Sequence, residues 1–144
     1  MKKEIPASSE DIRDILQKSQ TIAVVGMSNK RERASYQVAM YLKNAGYDIV
    51  PVNPAYHEIE GMKSYPDVES VPGNVDVVDI FRRSEFVEPI IESAIRKGAR
   101  VVWMQEGVVN PKAAERAKAA GLRVVMDRCM MKEHHMLMAH GTGE

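Results

Sequence analysis

Five short apolar runs, each ending in a turn and separated from the next by irregular or helix-forming sequence, limit most tightly what this chain can fold into. They are Thr21-Ile22-Ala23-Val24-Val25-Gly26, Asp48-Ile49-Val50-Pro51-Val52, the run from Val75 to Phe81, Val101-Val102-Trp103-Met104, and Leu122-Arg123-Val124-Val125-Met126. Nearly continuous hydrophobicity is the pattern of strands buried on both faces, as in a parallel sheet. Helical stretches lie around them. One begins near Ser8-Ser9 and places Ile12, Ile15 and Leu16 at i, i+3 and i+4. Others run from Ser35 to Ala45, Phe86 to Lys97 and Pro111 to Ala120. Gly46, Gly98 and Gly121 each follow a helix, where a left-handed residue closes the last turn. Asn110-Pro111 reads as an N-cap with proline in the first helical position. Strand–helix alternation with short connections implies right-handed crossovers. The expected fold class is α/β, a Rossmann-like open, mostly parallel sheet of about five strands with helices on both faces. Between Pro54 and Gly73 the pattern is broken by Gly61, Pro66 and Pro72, and a short edge strand is expected near Met62 to Tyr65.

A length of 144 residues fits one domain, residues 1–144, with 1–7 and 140–144 expected to be flexible. Twenty Lys plus Arg balance 20 Asp plus Glu, which argues against a broad electrostatic nucleic-acid binder. The single cysteine, Cys129, excludes an internal disulfide framework and a cysteine-rich zinc site. No apolar stretch approaches the roughly 20 residues that span a bilayer. The first residues carry two lysines but no apolar run after them, so a secretory signal is not expected. A cytoplasmic domain follows, without room for a second, substrate-carrying one.

In open α/β sheets ligands bind outside the carboxyl ends of the strands, where strand order reverses. After the first strand come Gly26-Met27-Ser28-Asn29-Lys30-Arg31-Glu32-Arg33-Ala34-Ser35. Gly26 permits a tight turn, and the following helix offers free N–H groups to an anion. Ser28 and Ser35 add hydroxyls; Lys30, Arg31 and Arg33 add positive charge. The dinucleotide fingerprint GxGxxG is poorly matched, because Ser28 and Arg31 occupy the second and third glycine places. A cap beside a solvated charge run is the plainer alternative. After the second strand, Asn53-Pro54 stands where a bare ribose diol wants Asp or Glu. A neutral residue there and cations in the first loop suit a ribose with an extra phosphate, as in coenzyme A or NADP. A simple turn is the alternative. After the third strand, Phe81-Arg82-Arg83 could flank an adenine or clamp phosphates, with Ser84 capping the next helix.

Taken in order, Val24-Val25-Gly26-Met27-Ser28, Gly46 to Pro54, Gly61, Val75 to Arg82, Val102-Trp103-Met104-Gln105-Glu106-Gly107-Val108, Asp127-Arg128-Cys129-Met130 and Glu133-His134 resemble the small stand-alone CoA-binding domain proteins. These are similar to the CoA-binding N-terminal domain of the succinyl-CoA synthetase alpha subunit. The resemblance runs from Ile12 to Leu137. It implies a module that binds coenzyme A by its ADP end. Gly26, Met27, Ser28, Asn29 and Lys30, with Arg33 and Ser35, would hold phosphate. Asn53 and Pro54 would line the nucleotide cleft, Phe81, Arg82 and Arg83 would close over adenine or ribose, and Gln105, Glu106 and Gly107 would follow the pantetheine. Met27 stands where the family often has alanine, which would make the loop bulkier beside the phosphates. Arg83 is less regular in that pattern than Arg82. The synthetase's phosphorylated histidine lies in a domain without counterpart in this sequence.

No arrangement of residues compels catalysis, and the expected activity is binding rather than an enzyme reaction. His134 and His135, adjacent on a helix, point about 100° apart and do not converge on a metal. Lys132 to His135 therefore reads as helix surface, and no metal is expected. Cys129 follows the last strand beside Arg128, and a helix starting near Met130 could lower its pKa. It is either a redox thiol able to form a mixed disulfide with the coenzyme or a partly buried small hydrophobe. Asp79 and Asp127 lie near strand ends, as capping carboxylates do. Met130, Met131, Met136 and Met138 read as core packing or as a self-association face, and a homodimer is compatible with the latter. The ligand expected is coenzyme A or an acyl-CoA, held by its 3′-phospho-ADP part, with no nucleic-acid or membrane partner. Two other functions share the fold: an NADP-binding oxidoreductase module, and an interaction protein whose Rossmann shell has no ligand.

Overall fold

The computed structural model describes residues 6–139. The expectation of flexible ends falls largely on 1–5 and 140–144, which lie outside the described residues. The chain opens with α1 (Ser9–Lys18), started by a Ser8 whose hydroxyl accepts from Asp11 N at 3.0 Å while the Asp11 carboxylate accepts from Ser8 N at 3.2 Å. Such a box satisfies two of the first turn's free N–H groups at once. Then follow β1 (Thr21–Val25), α2 (Ala34–Asn44) and β2 (Asp48–Val52). A small hairpin of β3 (Glu58–Ile59) and β4 (Met62–Lys63) interrupts the alternation. It resumes with β5 (Val77–Ile80), α3 (Val87–Lys97), β6 (Val101–Met104), α4 (Pro111–Ala119), β7 (Arg123–Val125) and α5 (Met130–His134).

The main sheet has the order β2-β1-β5-β6-β7 and every pairing in it is parallel. Its five strands are the five apolar runs, and the Rossmann-like arrangement is present. The edge strand expected near Met62 to Tyr65 is divided. Met62 and Lys63 pair back on Glu58–Ile59, while Tyr65 alone bridges to Val52 in parallel. The turn at Glu60-Gly61, both at positive φ, redirects the chain.

Strand side chains alternate between two apolar layers. Val25, Val78, Ile80, Val102 and Met104 pack under α3 and α4. Ile22, Val24, Val77, Val101, Trp103 and Val125 pack under α1, α2 and α5. The alanines of α4 are the reason that helix lies close: Ala113, Ala114 and Ala117 are fully buried. The C-terminal methionines divide. Met130 is buried, Met131 and Met138 are partly so, and Met136 is 57% exposed.

The segment Lys132 to His135 is less superficial than expected. Glu133 is buried and faces Arg128 at 3.6 Å. His134 Nδ1 lies 3.0 Å from Tyr41 Oη and its ring meets Tyr41 and Tyr47 edge-on, pinning α5 to α2. Burial holds the His134 imidazole below the ordinary histidine range, with His135 adding to the effect. The unfolded chain therefore takes up this proton first as pH falls. The stability it contributes is complete above pH 6.5 and declines below that. His134→Gln is expected to remove this decline. The difference between the urea midpoints of the two proteins, measured at pH 7 and pH 5, checks it.

Candidate functional site

The chain leaves β1 for α2 on one side and reaches β5 on the other, so strand order reverses between β1 and β5. Open sheets part their loops at such a point and form a crevice. Gly26 sits at its apex. Its N–H donates to Val52 O at 2.8 Å, and Phe81 N donates to Val25 O at 2.9 Å, so the ends of β2, β1 and β5 are tied together there. The residue has φ +87°, and a Cβ would lie 2.3 Å from Phe81 O. Only glycine fits both conditions.

Beyond Gly26 the loop turns back on itself. Ser28 N donates to Ser35 Oγ and Lys30 N to Ser28 Oγ, both at 3.0 Å. Helix α2 then begins after Arg33 without any side-chain cap, so its first N–H groups are left for another acceptor. A cleft of about 440 Å³ opens over this helix end, lined by Gly26, Ser28, Arg33, Ser35, Phe81, Arg82, Arg83, Glu106, Gly107 and Val108. A second, more apolar cleft of about 250 Å³ adjoins it, lined by Val25, Val52, Pro54, Pro66, Val68, Pro89 and Ile90. Arg82 borders both.

Among the described residues, four arginines outside the crevice are held in ion pairs and the arginines that line it are not. Arg96, Arg116, Arg123 and Arg128 each meet a carboxylate. Arg33, Arg82 and Arg83 have no such partner among the described residues. Arg31 is drawn away toward Tyr36, whose phenol also meets Glu60.

Most of the expected residues are brought together, but several side chains do other work. Met27 is fully buried and packed with the α1–α2–α5 layer, so the bulk expected of it beside the phosphates goes into the core instead. Asn53 spends its amide on the fold: Nδ2 donates to Met27 O at 3.0 Å and Oδ1 accepts from Ala55 N at 3.0 Å. It staples β2 to the first loop, while Pro54 beside it lines the apolar cleft. Asn29 and Lys30 are exposed on the loop but do not line either cleft. Ser84 opens a short 3₁₀ turn instead of capping α3; its Oγ accepts from Val109 N at 2.9 Å, and Asn110 Nδ2 donates to its carbonyl at 2.9 Å. The third and fourth loops are thereby fastened to each other. Gln105 is 4% exposed and turns inward to Asp79, whereas Glu106 and Gly107 do line the cleft. Glu106 meets Lys132 at 3.0 Å, and Gly107 N donates to Asp127 Oδ1 at 2.8 Å. Asp127, at φ +62°, aims its carboxylate there from the end of β7.

Cys129 is 7% exposed and packs with Trp103 and Met130 in the α1–α2–α5 layer. A mixed disulfide with a ligand thiol would require the segment between β7 and α5 to open. Asp79 was missed as anything more than a cap. Its signal was a lone acid within a strand otherwise apolar on both faces.

Known proteins share this arrangement. The uncharacterized protein YneT of Bacillus subtilis is 39% identical over 127 residues, covering 88% of this chain and 94% of YneT. The alpha subunit of the ADP-forming acetate–CoA ligase II of Pyrococcus furiosus is 31% identical over 131 residues, covering 82% of this chain but 29% of the subunit. The solved structure of a hypothetical protein from Pyrococcus horikoshii superposes with a TM-score of 0.90 at 44% identity, covering 96% of this chain and 99% of that one. The model of the CoA binding domain family matches residues 20–135, from the end of α1 to the turn that follows α5, and the chain belongs to that family.

Proposed function

We propose that this chain is a non-catalytic coenzyme A binding module of the cytoplasm, acting as a single domain that holds the 3′-phospho-ADP part of CoA or an acyl-CoA in the crevice between β1 and β5. The observation that carries this reading is the set of unpartnered cations, Arg33, Arg82 and Arg83, around the uncapped start of α2. Positive side chains without carboxylates, gathered at a helix N-terminus, are suited to phosphate. Phosphates would sit over Gly26, Ser28 and Ser35, where the glycine lets a ligand approach the backbone. The adenine would enter the apolar cleft beside Val52, Pro54 and Ile90. Arg82, between the two clefts, would reach either a phosphate or the face of the base. The pantetheine arm would leave past Glu106 and Gly107.

Binding without catalysis is supported by what the crevice offers. Its carboxylates are engaged by the fold: Glu106 is neutralised by Lys132, Asp127 accepts from Gly107 N and Asp67 accepts from Ser70, while the one thiol, Cys129, lies in the apolar layer. The membership in a CoA-binding family disfavours the NADP alternative.

Thermal unfolding with CoA, 3′-dephospho-CoA, ADP, NAD and NADP side by side tests the reading. CoA at 100 times its dissociation constant is expected to add about 2.7 kcal/mol of stability. The effect should shrink without the 3′-phosphate. Arg82→Gln should weaken CoA by about 10- to 100-fold, the usual worth of one charge-assisted hydrogen bond. Unchanged affinity in that variant, or stabilisation by NADP alone, would overturn the assignment.

A further inference from the structure

A carboxyl group lies beneath the crevice that neither the core nor the ligand uses. Val24, Asp79 and Trp103 are in register on β1, β5 and β6. Residues two apart on a strand share a face, so Gly26, Phe81 and Gln105 at the rim stand directly above them. Asp79 is completely buried. Its Oδ1 accepts from Gln105 Nε2 at 2.5 Å, and its Oδ2 has no hydrogen-bond partner among the described residues. Gln105 thus fixes one oxygen and leaves the other as the atom that carries or loses the proton. An ionised Oδ2 with no donor is costly in such a place, whereas a neutral acid is tolerated. Burial pushes this carboxyl up to about 7, with the Gln105 hydrogen bond pulling the other way. Other ionisable groups reach this layer or the crevice above it: Cys129, Glu133 on Arg128, His134 on Tyr41, and Arg82, Arg83 and Glu106. None of them figures among the influences on Asp79, so burial and Gln105 set its state.

We infer that Asp79 makes anion uptake by the crevice proton-linked: phosphates bind tightly over the protonated acid and more weakly over the carboxylate. The inference rests on the phosphate-binding reading above. At 3.3 Å per residue, the rim stands about 7 Å along the strand from Asp79. A phosphate charge seated beyond the rim, about 12 Å from the carboxylate, is repelled at an effective dielectric of about 20 by enough to weaken binding roughly tenfold. The coupling is reciprocal. A bound anion strengthens the hold of Asp79 on its proton, so binding near neutral pH transfers part of a proton from solvent to Oδ2.

Calorimetric titration of CoA between pH 6 and pH 8.5, on this protein and on Asp79→Asn, tests the inference. CoA's own phosphate monoester titrates in that range and acts on both proteins alike, so the difference between them is read. The dissociation constant of the unsubstituted protein is expected to rise about tenfold more than that of the variant. Parallel profiles would overturn the linkage while leaving CoA binding intact. A second arm needs no variant. Titration with 3′-dephospho-CoA at pH 7.5, in buffers of different ionisation enthalpy, counts protons with a ligand whose pyrophosphate does not titrate there. Net proton uptake is expected; none would overturn the linkage. Failure of both coenzymes to bind at pH 6 would instead remove the phosphate reading, and this inference with it.

Discussion

Replacing Asp79 by asparagine is expected to stabilise the protein by about 4 kcal/mol at pH 8 while changing little at pH 4. The folded chain holds this carboxyl at about 7, against 3.8 for an unperturbed aspartate. A raised folded value means that stability is complete below the unfolded pKa and is lost as pH rises through the folded one. Below pH 3.8 the acid is protonated in both states and contributes no pH dependence. Between the two values the unfolded chain releases its proton while the folded chain keeps it. Each of these roughly three pH units removes about 1.4 kcal/mol. Above pH 7 the loss is complete. Asparagine keeps the shape and an oxygen that can accept from Gln105 Nε2, yet cannot ionise, so the loss does not occur. For a domain of this size the gain at pH 8 corresponds to a melting temperature higher by on the order of 10 °C. Unfolding of both proteins from pH 4 to pH 9 measures it; equal stability at pH 8 would show that Asp79 is hydrated or paired in solution. The variant also exposes the smaller, opposite slope below pH 6.5 that belongs to His134.

A side chain that weakens the fold at neutral pH is a candidate for work the fold does not need. Asp79 occupies a position where its neighbours in register, Val24 and Trp103, are apolar and fully buried. Valine would extend that layer without an unsatisfied oxygen. The location of the acid, two residues below the point where β1 and β5 part, connects its cost to the crevice rather than to the core.

The architecture was legible because the period of apolar residues reports burial directly. Ile22 to Val25, Val77 to Ile80 and Val101 to Met104 are apolar in nearly every position, and all are buried in a sheet covered on both faces. The caps were legible for a similarly local reason: the Asn110 side chain accepts from Ala113 N, and Gly98 takes φ +83° after α3. Loop side chains were not legible in the same way. Their direction depends on how three loops from distant parts of the chain meet. Met27 follows Gly26 directly but turns into the core. Asn53 spends its amide on Met27 and Ala55, and Gln105 reaches down to Asp79. Spacing placed each of them at the correct edge of the sheet but could not say whether it faced the cleft. The hairpin of β3 and β4 was obscured because a pair of two-residue strands carries too few positions for a period to register. The charges of Arg33, Arg82 and Arg83 could be read from sequence, but their lack of partners could not, since Glu69, Glu92 and Asp14 are assigned to other arginines only by the fold.

Gly26→Ala is expected to damage both the fold and the crevice, and its comparison with Gly98→Ala separates two causes. Both glycines have positive φ, +87° and +83°, so each alanine incurs the left-handed penalty of about 1–2 kcal/mol. At Gly98 nothing lies within 4 Å of the added methyl group, and the cost should end there. At Gly26 the methyl would stand 2.3 Å from Phe81 O and 3.2 Å from Phe81 C. These are backbone atoms, held in place by the hydrogen bond from Phe81 N to Val25 O, so they cannot rotate away as a flexible side chain would. Relief requires β1 and β5 to separate at the switch point, adding overpacking of about 1–3 kcal/mol. The expected total is about 3 kcal/mol or more, a melting temperature lower by on the order of 10 °C. Arg82 follows Phe81 and would move with it, so CoA affinity should fall at least tenfold in whatever fraction remains folded. Gly98, at the far end of α3, should leave affinity unchanged. Thermal unfolding and calorimetric titration of the two variants decide the matter. Equal costs would mean that the strand ends yield easily at Gly26 and that the crevice does not depend on a fixed rim. A larger loss at Gly26, accompanied by weaker CoA binding, would tie ligand affinity to the tight junction of β2, β1 and β5 that this glycine permits.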